Sequence, residues 1–452
     1  MPGVAAQPMP GPPVNQPETA SRPAPVSAPL VSPFGQAGSR NPAAPAAVLQ
    51  QGRGGQFRLG LFSLGVGYEI GALNNIEDQI NAISNDLENQ APIAINVTGA
   101  TTPDEAISMA KSQVVTQINS SPILKGINNV LTSLGEEGNV ALSANGHIPL
   151  TPFAFSIEAL GGAIVVDAQF NFLANLSVVS SPLSSISESD IVVTPNGGGF
   201  DASFNYDPSN NDSTMLVKAA LIKQLGLGYS HNVWKSDLPA DSWRSGGLTL
   251  GGRLKYYEVE LGRTAVKLTD DGDAKDAFDS DLDTVKSTGL GLDLGAQWTS
   301  RHYTLGAWVN NLNSPKFKFN KLDLSGYTDS KVRGELQAGE TYTMKPQLQF
   351  AGALHSASQH WVLDLTADAN AVQDPIGREY QWFAVNAGYV TNAFWIPGPR
   401  VGYRANLAGT QLSYVTAGLT WFGVSLDLAY GLQKIEYDGK NYPQSVMLNL
   451  SS

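Results

Sequence analysis

Residues 288–298 read TGLGLDLGAQW. From 290 to 298 the even positions are Leu290, Leu292, Leu294, Ala296 and Trp298, and the odd ones are Gly291, Asp293, Gly295 and Gln297. Side chains of an extended strand alternate between two faces, so this segment is a strand with one apolar and one polar face. The same dyad recurs three times. Trp361, Leu363, Leu365, Ala367 and Ala369 alternate with Val362, Asp364, Thr366, Asp368 and Asn370. Val401, Tyr403, Ala405 and Leu407 alternate with Arg400, Gly402, Arg404 and Asn406. Val424, Leu426, Leu428, Tyr430 and Leu432 alternate with Ser425, Asp427, Ala429, Gly431 and Gln433. Turn-forming clusters separate such segments, at Asp207 to Asp212, Asp270 to Asp273, Asn310 to Pro315 and Asp438-Gly439.

Composition narrows the class. Of 452 residues 46 are Gly, 27 Pro and none Cys, and only 15% are charged, against about 25% in an average soluble domain. Mean hydropathy is -0.12, and no apolar run approaches the roughly 18 residues of a spanning helix. A net charge of -12 without a basic patch argues against a nucleic-acid partner. The lack of Cys removes disulfides, thiolate metal sites and thiol nucleophiles. The five His stand in separate segments, and no hydrolase, zinc-protease or phosphate-loop motif occurs. We therefore expect no enzyme activity and no cofactor. Weak hydropathy with abundant Gly and aromatics fits two architectures, a membrane-spanning β-barrel and a large soluble β-protein. In the first the apolar strand faces meet lipid; in the second they form the core.

The chain divides into three parts. Residues 1–36 form a Pro-rich tail that buries too little to order itself, and they lack the basic start and apolar core of a secretory signal. Residues 37–55 form a plug-like segment, and 56–452 a barrel. Phe57 to Ile70 reads as the first strand, with a parity switch at Phe62-Ser63 that marks a bend. Residues 73–135 read as a helical insertion. Ile76, Ile80, Ile83 and Leu87 recur at helical spacing, and Thr102-Pro103-Asp104-Glu105 starts a helix carrying Ile107, Ala110, Val114 and Ile118. Ile123, Ile127, Val130, Leu131 and Leu134 form a third stretch, closed by Gly135. The remaining ~340 residues, at about 24 per strand and connection, make about 14 strands.

Candidate sites follow from these faces. Asp279, Asp281 and Asp283 mimic the start of a calcium loop, but Thr284 stands where that loop needs Gly and Leu290 where it needs Glu. The acidic run from Asp270 to Asp283 therefore reads as a solvated connection, with divalent-cation binding as the sharper reading. The polar faces collect Asp293, Asp364, Asp368, Arg400, Arg404 and Asp427. In a membrane barrel these point into the lumen, where opposite charges pair because isolated ones are costly. Trp234, Trp243, Trp298, Trp361, Trp382, Trp395 and Trp421 fall near strand ends, as interface girdles do.

Several of these stretches resemble the FadL-type outer-membrane transporters of hydrophobic compounds. Asn41-Pro42-Ala43 resembles their N-terminal Asn-Pro-Ala. TGLGLDLGAQW with YTLGAWVNNLNSPKF (303–317), GPRVGYRANLAG (398–409) and YVTAGLTWFGVSLDLAYGL (414–432) resemble strands of their relatives, the TraF-type conjugal transfer proteins. The resemblance implies an all-β, transmembrane antiparallel barrel of about 14 strands in the outer membrane of a Gram-negative-type cell. It also implies a plug at Asn41, Pro42 and Ala43, and passive passage of a hydrophobic small molecule. Membrane lipids are then obligatory partners. The rival expectation is an accessory of a conjugation, secretion, pilus or surface assembly.

Overall fold

The structure, a computed structural model, describes residues 41–50, 57–71, 81–86, 95–157, 160–196, 199–204, 211–239, 241–268, 282–338, 341–390, 395–437 and 439–452. Fourteen antiparallel strands close into one barrel. They are β1 (Ser63–Ile70), β2 (Asn139–His147), β3 (Gly162–Val179), β4 (Thr214–Lys235), β5 (Gly247–Lys267), β6 (Thr284–Thr299) and β7 (Tyr303–Asn310). They continue as β8 (Gln347–His355), β9 (Trp361–Asp368), β10 (Trp382–Tyr389), β11 (Gly398–Asn406), β12 (Ser413–Trp421), β13 (Val424–Gly431) and β14 (Ser445–Ser451). Each strand pairs with the next, and β14 returns to β1 with Val66 opposite Leu448. Closure leaves none of these fourteen strands at a sheet edge, which is what lets a sheet stand in hydrocarbon.

The expected first strand is two pieces. Residues 57–59 pair with 153–155, and β1 begins only at Ser63. The break at 60–62, where the parity switches, is held by Gly60 N–H on the Pro152 carbonyl (3.0 Å) and Leu61 N–H on the Ser452 carbonyl (3.4 Å).

The two ends differ. At one, the near end, connections are mostly tight: residues 300–302, 356–360, and the Phe422-Gly423 turn, where both φ values are positive (49° and 79°) as a two-residue hairpin requires. At the far end lie the long connections 71–138, 180–213, 268–283 and 311–346. Both β1 and β14 meet the near end with their outer termini.

The barrel is inside-out. Leu225, Leu227, Leu254, Leu290, Leu294, Leu305, Leu354, Leu363, Val401, Val415, Leu426 and Leu448 are all exposed on its outer wall, while Asp293, Thr416, Lys255 and Arg404 are buried on the inner one. From Val424 to Leu432, at ~3.4 Å per residue and roughly 40° of tilt, the apolar band is about 20 Å tall, near the roughly 25 Å of membrane barrels. Its far edge is sharp. Leu225, Tyr256 and Leu290 share one register row. The next outward row is Lys223, Glu258 and Thr288, where Lys223 and Lys286 bridge Glu258 at 3.0 and 2.8 Å. Tyr403, Tyr430 and Tyr68 continue an aromatic row at the far edge through Val415 and Val446.

Tryptophans mark the near edge. Trp234 stacks on Trp298 (5.3 Å), Trp243 on His302 (4.5 Å), and Trp421 meets Phe422 (4.6 Å). Trp361 and Trp395 are exposed beside them. Trp382 departs from this expectation. It shares the inward parity of Ala384 and Asn386, and its ring lies under the Arg404 guanidinium at 3.7 Å inside the barrel.

The connection from β1 to β2 carries residues 81–86 in helical form, then α2 (Pro103–Asn119) and α3 (Pro122–Glu137); Ile76, Ile80 and Leu87 lie outside the described residues. (A two-turn helix at Ala44–Gln50 precedes the barrel and is called α1.) Thr102 caps α2 through Glu105 N–H (3.2 Å), but the Glu105 carboxylate reaches past the cap to Thr101 (2.8 Å). Gly135 does not close α3. The helix runs on to Glu137, and a Cβ at Gly135 would strike Ser180, so that glycine permits close packing rather than a stop. Asn119 and Asn128 each exchange two hydrogen bonds with the backbone, at Ile186 and Leu183, fixing both helices to the β3–β4 connection.

Candidate functional site

The lumen is filled in layers, starting at the near end. Asn41, Pro42 and Ala43 enter it and lead into α1. Asn41 accepts from Ala43 N–H through Oδ1 (3.0 Å) and donates through Nδ2 to the Ala296 carbonyl (2.6 Å). Ala46 N–H donates to Ser230 Oγ (2.8 Å), and Ala46 packs on Ala163. The seat is made by missing side chains. Gly251 and Gly295 are direct partners across β5 and β6. A Cβ at Gly295 would collide with Asn41, one at Gly251 with the Pro42 carbonyl, and one at Gly306 would come within 3.0 Å of Asn41 Nδ2. Residues 1–40, with the expected tail, lie outside the described residues.

A charge layer follows. Asp293 is fully buried. Its Oδ2 accepts from Arg253 Nη2 (2.9 Å) and Nε (3.1 Å), and its Oδ1 from Lys255 Nζ (2.8 Å) and Asn311 N–H (2.9 Å). Arg253 also reaches Asp167 at 3.4 Å, and Gln224 donates to the same carboxylate at 3.3 Å. Two acids and two bases cancel, which is how four charges stay in a dry interior. Of these four, sequence reading named only Asp293. Arg253 and Lys255 carried the needed signal, since they alternate with outward Leu254 and Tyr256.

The other expected lumen residues are all on the inner wall but do not join that layer. Asp364 accepts from Asn386 (3.0 Å). Asp368 accepts from Gln347 (2.9 Å), Gln349 (2.5 Å) and the Trp382 backbone N–H (2.7 Å), while the Arg404 guanidinium stacks over the Trp382 ring. Arg400 pairs with Asp427 at 2.5 Å. The six residues thus fall into separate groups around the circumference. Asp279 and Asp281 lie outside the described residues; Asp283 stands just before β6. No group of three or more His, Asp or Glu among the described residues could hold a metal.

Beyond the charges the interior turns apolar. Leu173, Ile222, Val259 and Leu261 of the wall meet Phe317, Met344 and Ile376, which arrive on the connections 311–346 and 369–381. Tyr257 meets Phe317 edge-on at 6.0 Å. A cavity of about 40 Å³ remains between this layer and the charges, lined by Asn171, Gln224, Tyr257, Asn310, Tyr342 and Asp374 among others.

Last comes a lid. Helix α4 (Ser330–Ala338) buries Val332 and Leu336 against Val179 and Leu216. Asp212 holds its entrance. One carboxylate oxygen accepts from Thr328 N–H (2.6 Å) and Asp329 N–H (2.5 Å), and the other pairs with Lys267 (2.7 Å). Arg263 donates to the Leu336 carbonyl at the helix exit, a cation at the end where the helix dipole favours one. Histidines gather elsewhere. His147, His231, His302, His355 and His360, scattered in sequence, all stand toward the near end.

A closed fourteen-strand barrel with a lipid-suited exterior, polar lumen layer and N-terminal segment within has the fold of outer-membrane β-barrels. The chain belongs to the family described as "F plasmid transfer operon, TraF, protein", whose profile matches residues 39–368. No curated protein matches it. Among solved structures it is similar to one titled "TodX deltaS2S3 mutant monoaromatic hydrocarbon channel", at 12% identity over 90% of this chain and 91% of that one, with a TM-score of 0.35.

Proposed function

We propose that the protein resides in an outer membrane and binds a hydrophobic small molecule inside its barrel for passive passage. The observation that carries this reading is the interior apolar layer of Leu173, Ile222, Tyr257, Phe317 and Met344, enclosed between the seated N-terminal segment and the connection that carries α4. Passage requires the plug to leave Gly251 and Gly295 and the α4 connection to part from Asp212. The test is extraction in mild detergent followed by mass analysis of co-purified compounds, with and without Ile222→Asn. Loss of a hydrophobic compound in the variant supports the reading; no such compound in either protein refutes it.

A second reading is an accessory role in a transfer apparatus. The family's description and the α2–α3 platform, pinned by Asn119 and Asn128 at the long-loop end, favour it. Stable co-purification of apparatus subunits, lost on removal of 101–137, would decide for it.

A further inference from the structure

We propose that the outer wall carries a seat for one zwitterionic glycerophospholipid at the near rim, between Trp243 and Trp361. A groove of about 420 Å³ opens there, walled by these two indoles and by His302, within the roughly 300–1,000 Å³ of small-molecule sites. Its floor is the register row Leu354, Leu363 and Ala387. All three point outward, so the floor continues the apolar band, and the small Ala387 makes the dip.

The occupant follows from position and charge. The groove begins on the lipid-facing band and ends at the aromatic edge, so its contents are apolar at one end and wet at the other. Trp243 is held rigid there by stacking on His302 (4.5 Å) and Tyr303 (6.2 Å), and Trp361 by Tyr389 (5.3 Å). An acyl chain fits along the leucines. Beside the wet end stands an exposed ion pair, Arg301 with Asp241, and the Asp241 carbonyl lies 3.1 Å from His302 Nε2. An adjacent cation and anion match a headgroup that carries both a phosphate and an ammonium. Arg301 would take the phosphate and Asp241 the ammonium. A purely anionic headgroup would meet Asp241 with like charge.

This inference rests on the membrane reading above, and the experiment separates the two. The full chain is reconstituted in vesicles of phosphatidylethanolamine and phosphatidylglycerol, floated on a density gradient, then extracted gently and weighed by native mass spectrometry. Wild type should float and retain one phosphatidylethanolamine, favoured over phosphatidylglycerol by about tenfold. Ala387→Phe, which fills the dip on an outward face, should float equally and lose the lipid. Asp241→Asn should keep a lipid but lose the headgroup preference. Trp421→Ala, at the same rim away from the groove, should change nothing. Failure to float overturns the membrane reading. Flotation with equal retention in wild type and Ala387→Phe overturns the seat alone, as does lipopolysaccharide in place of phospholipid. Cross-linking of two copies through this face would also overturn it.

Discussion

Asn41 donates its side-chain amide to the Ala296 carbonyl at 2.6 Å, across 255 positions of sequence. The contact exists only because Gly295 and Gly251 leave bare backbone beneath it. Gly295→Ala should therefore expel the segment 41–47 without touching the outer wall. Losing that buried donor's partner costs about 1–3 kcal/mol, a ~5- to 150-fold shift toward the open state. Limited proteolysis of the N-terminal segment should accelerate accordingly, while the barrel keeps its heat-modifiable mobility. Unchanged cleavage would show that the plug is held elsewhere.

Neighbouring residues on β5 should fail in different ways. Leu254 faces out and Arg253 faces in. Leu254→Arg puts a charge in the apolar band, at about 2–4 kcal/mol if it lies near the midplane. Arg253→Met leaves Asp167 without its cation and Asp293 with only Lys255 as counter-charge, at roughly 3–5 kcal/mol. Adding a second substitution, Asp167→Leu, should recover part of the loss for Arg253→Met and none for Leu254→Arg. Urea unfolding in detergent measures all three.

The Asp212 latch has a definite pH dependence. Burial by itself would raise its carboxyl pKa; the Lys267 ammonium and the Thr328 and Asp329 amides outweigh this and hold it at about 2. A depressed pKa stabilises the fold above the ordinary value of about 3.9 and loses that contribution as pH falls toward 2. Protection of the Thr328 and Asp329 amides, taken relative to the unfolded chain at each pH, should thus be high at neutral pH and fall below about pH 4. Asp212→Asn should show low protection throughout.

Asp374, on the connection between β9 and β10, should behave oppositely. Burial raises its carboxyl to about 7 despite the nearby Arg378, and Glu69 adds to the rise. The folded connection then holds a proton that the open one releases. Its stability should fall as pH rises from about 4 to 7. Protection of the Val372–Gln373 and Glu379–Tyr380 amides, taken relative to the unfolded chain at each pH, should fall over that range, and Asp374→Asn should remove that fall.

The strands were the legible part. Leu290 to Trp298 and Val424 to Leu432 announce period two because one face meets hydrocarbon and the other does not, a constraint written residue by residue. The Thr102 cap was legible for the same reason, being local. Partnerships were not. Nothing near Asp293 in sequence points to Arg253, 40 positions away, since only register brings them together. Phe317 and Met344 read as loop residues because their apolar surroundings come from strands far along the chain. Trp382 was misplaced by attending to its strand-end position when its parity with Ala384 and Asn386 put it inside. Gly135 was misread as a stop because Ser180, its reason for being small, lies 45 positions on.

Strands β3, β4, β5 and β6 run 18, 22, 21 and 16 residues, against seven to nine in the other ten. Above the Lys223–Glu258 row, β3, β4 and β5 each climb about 23 Å further, at ~3.4 Å per residue and roughly 40° of tilt. The mouth is therefore not a ring but a low sill backed by a parapet. On the β8–β14 side the strands stop low, and only connections such as the 434–443 hairpin rise beyond them. The tall wall is also the one that carries α4, since Val332 and Leu336 pack against Val179 of β3 and Leu216 of β4.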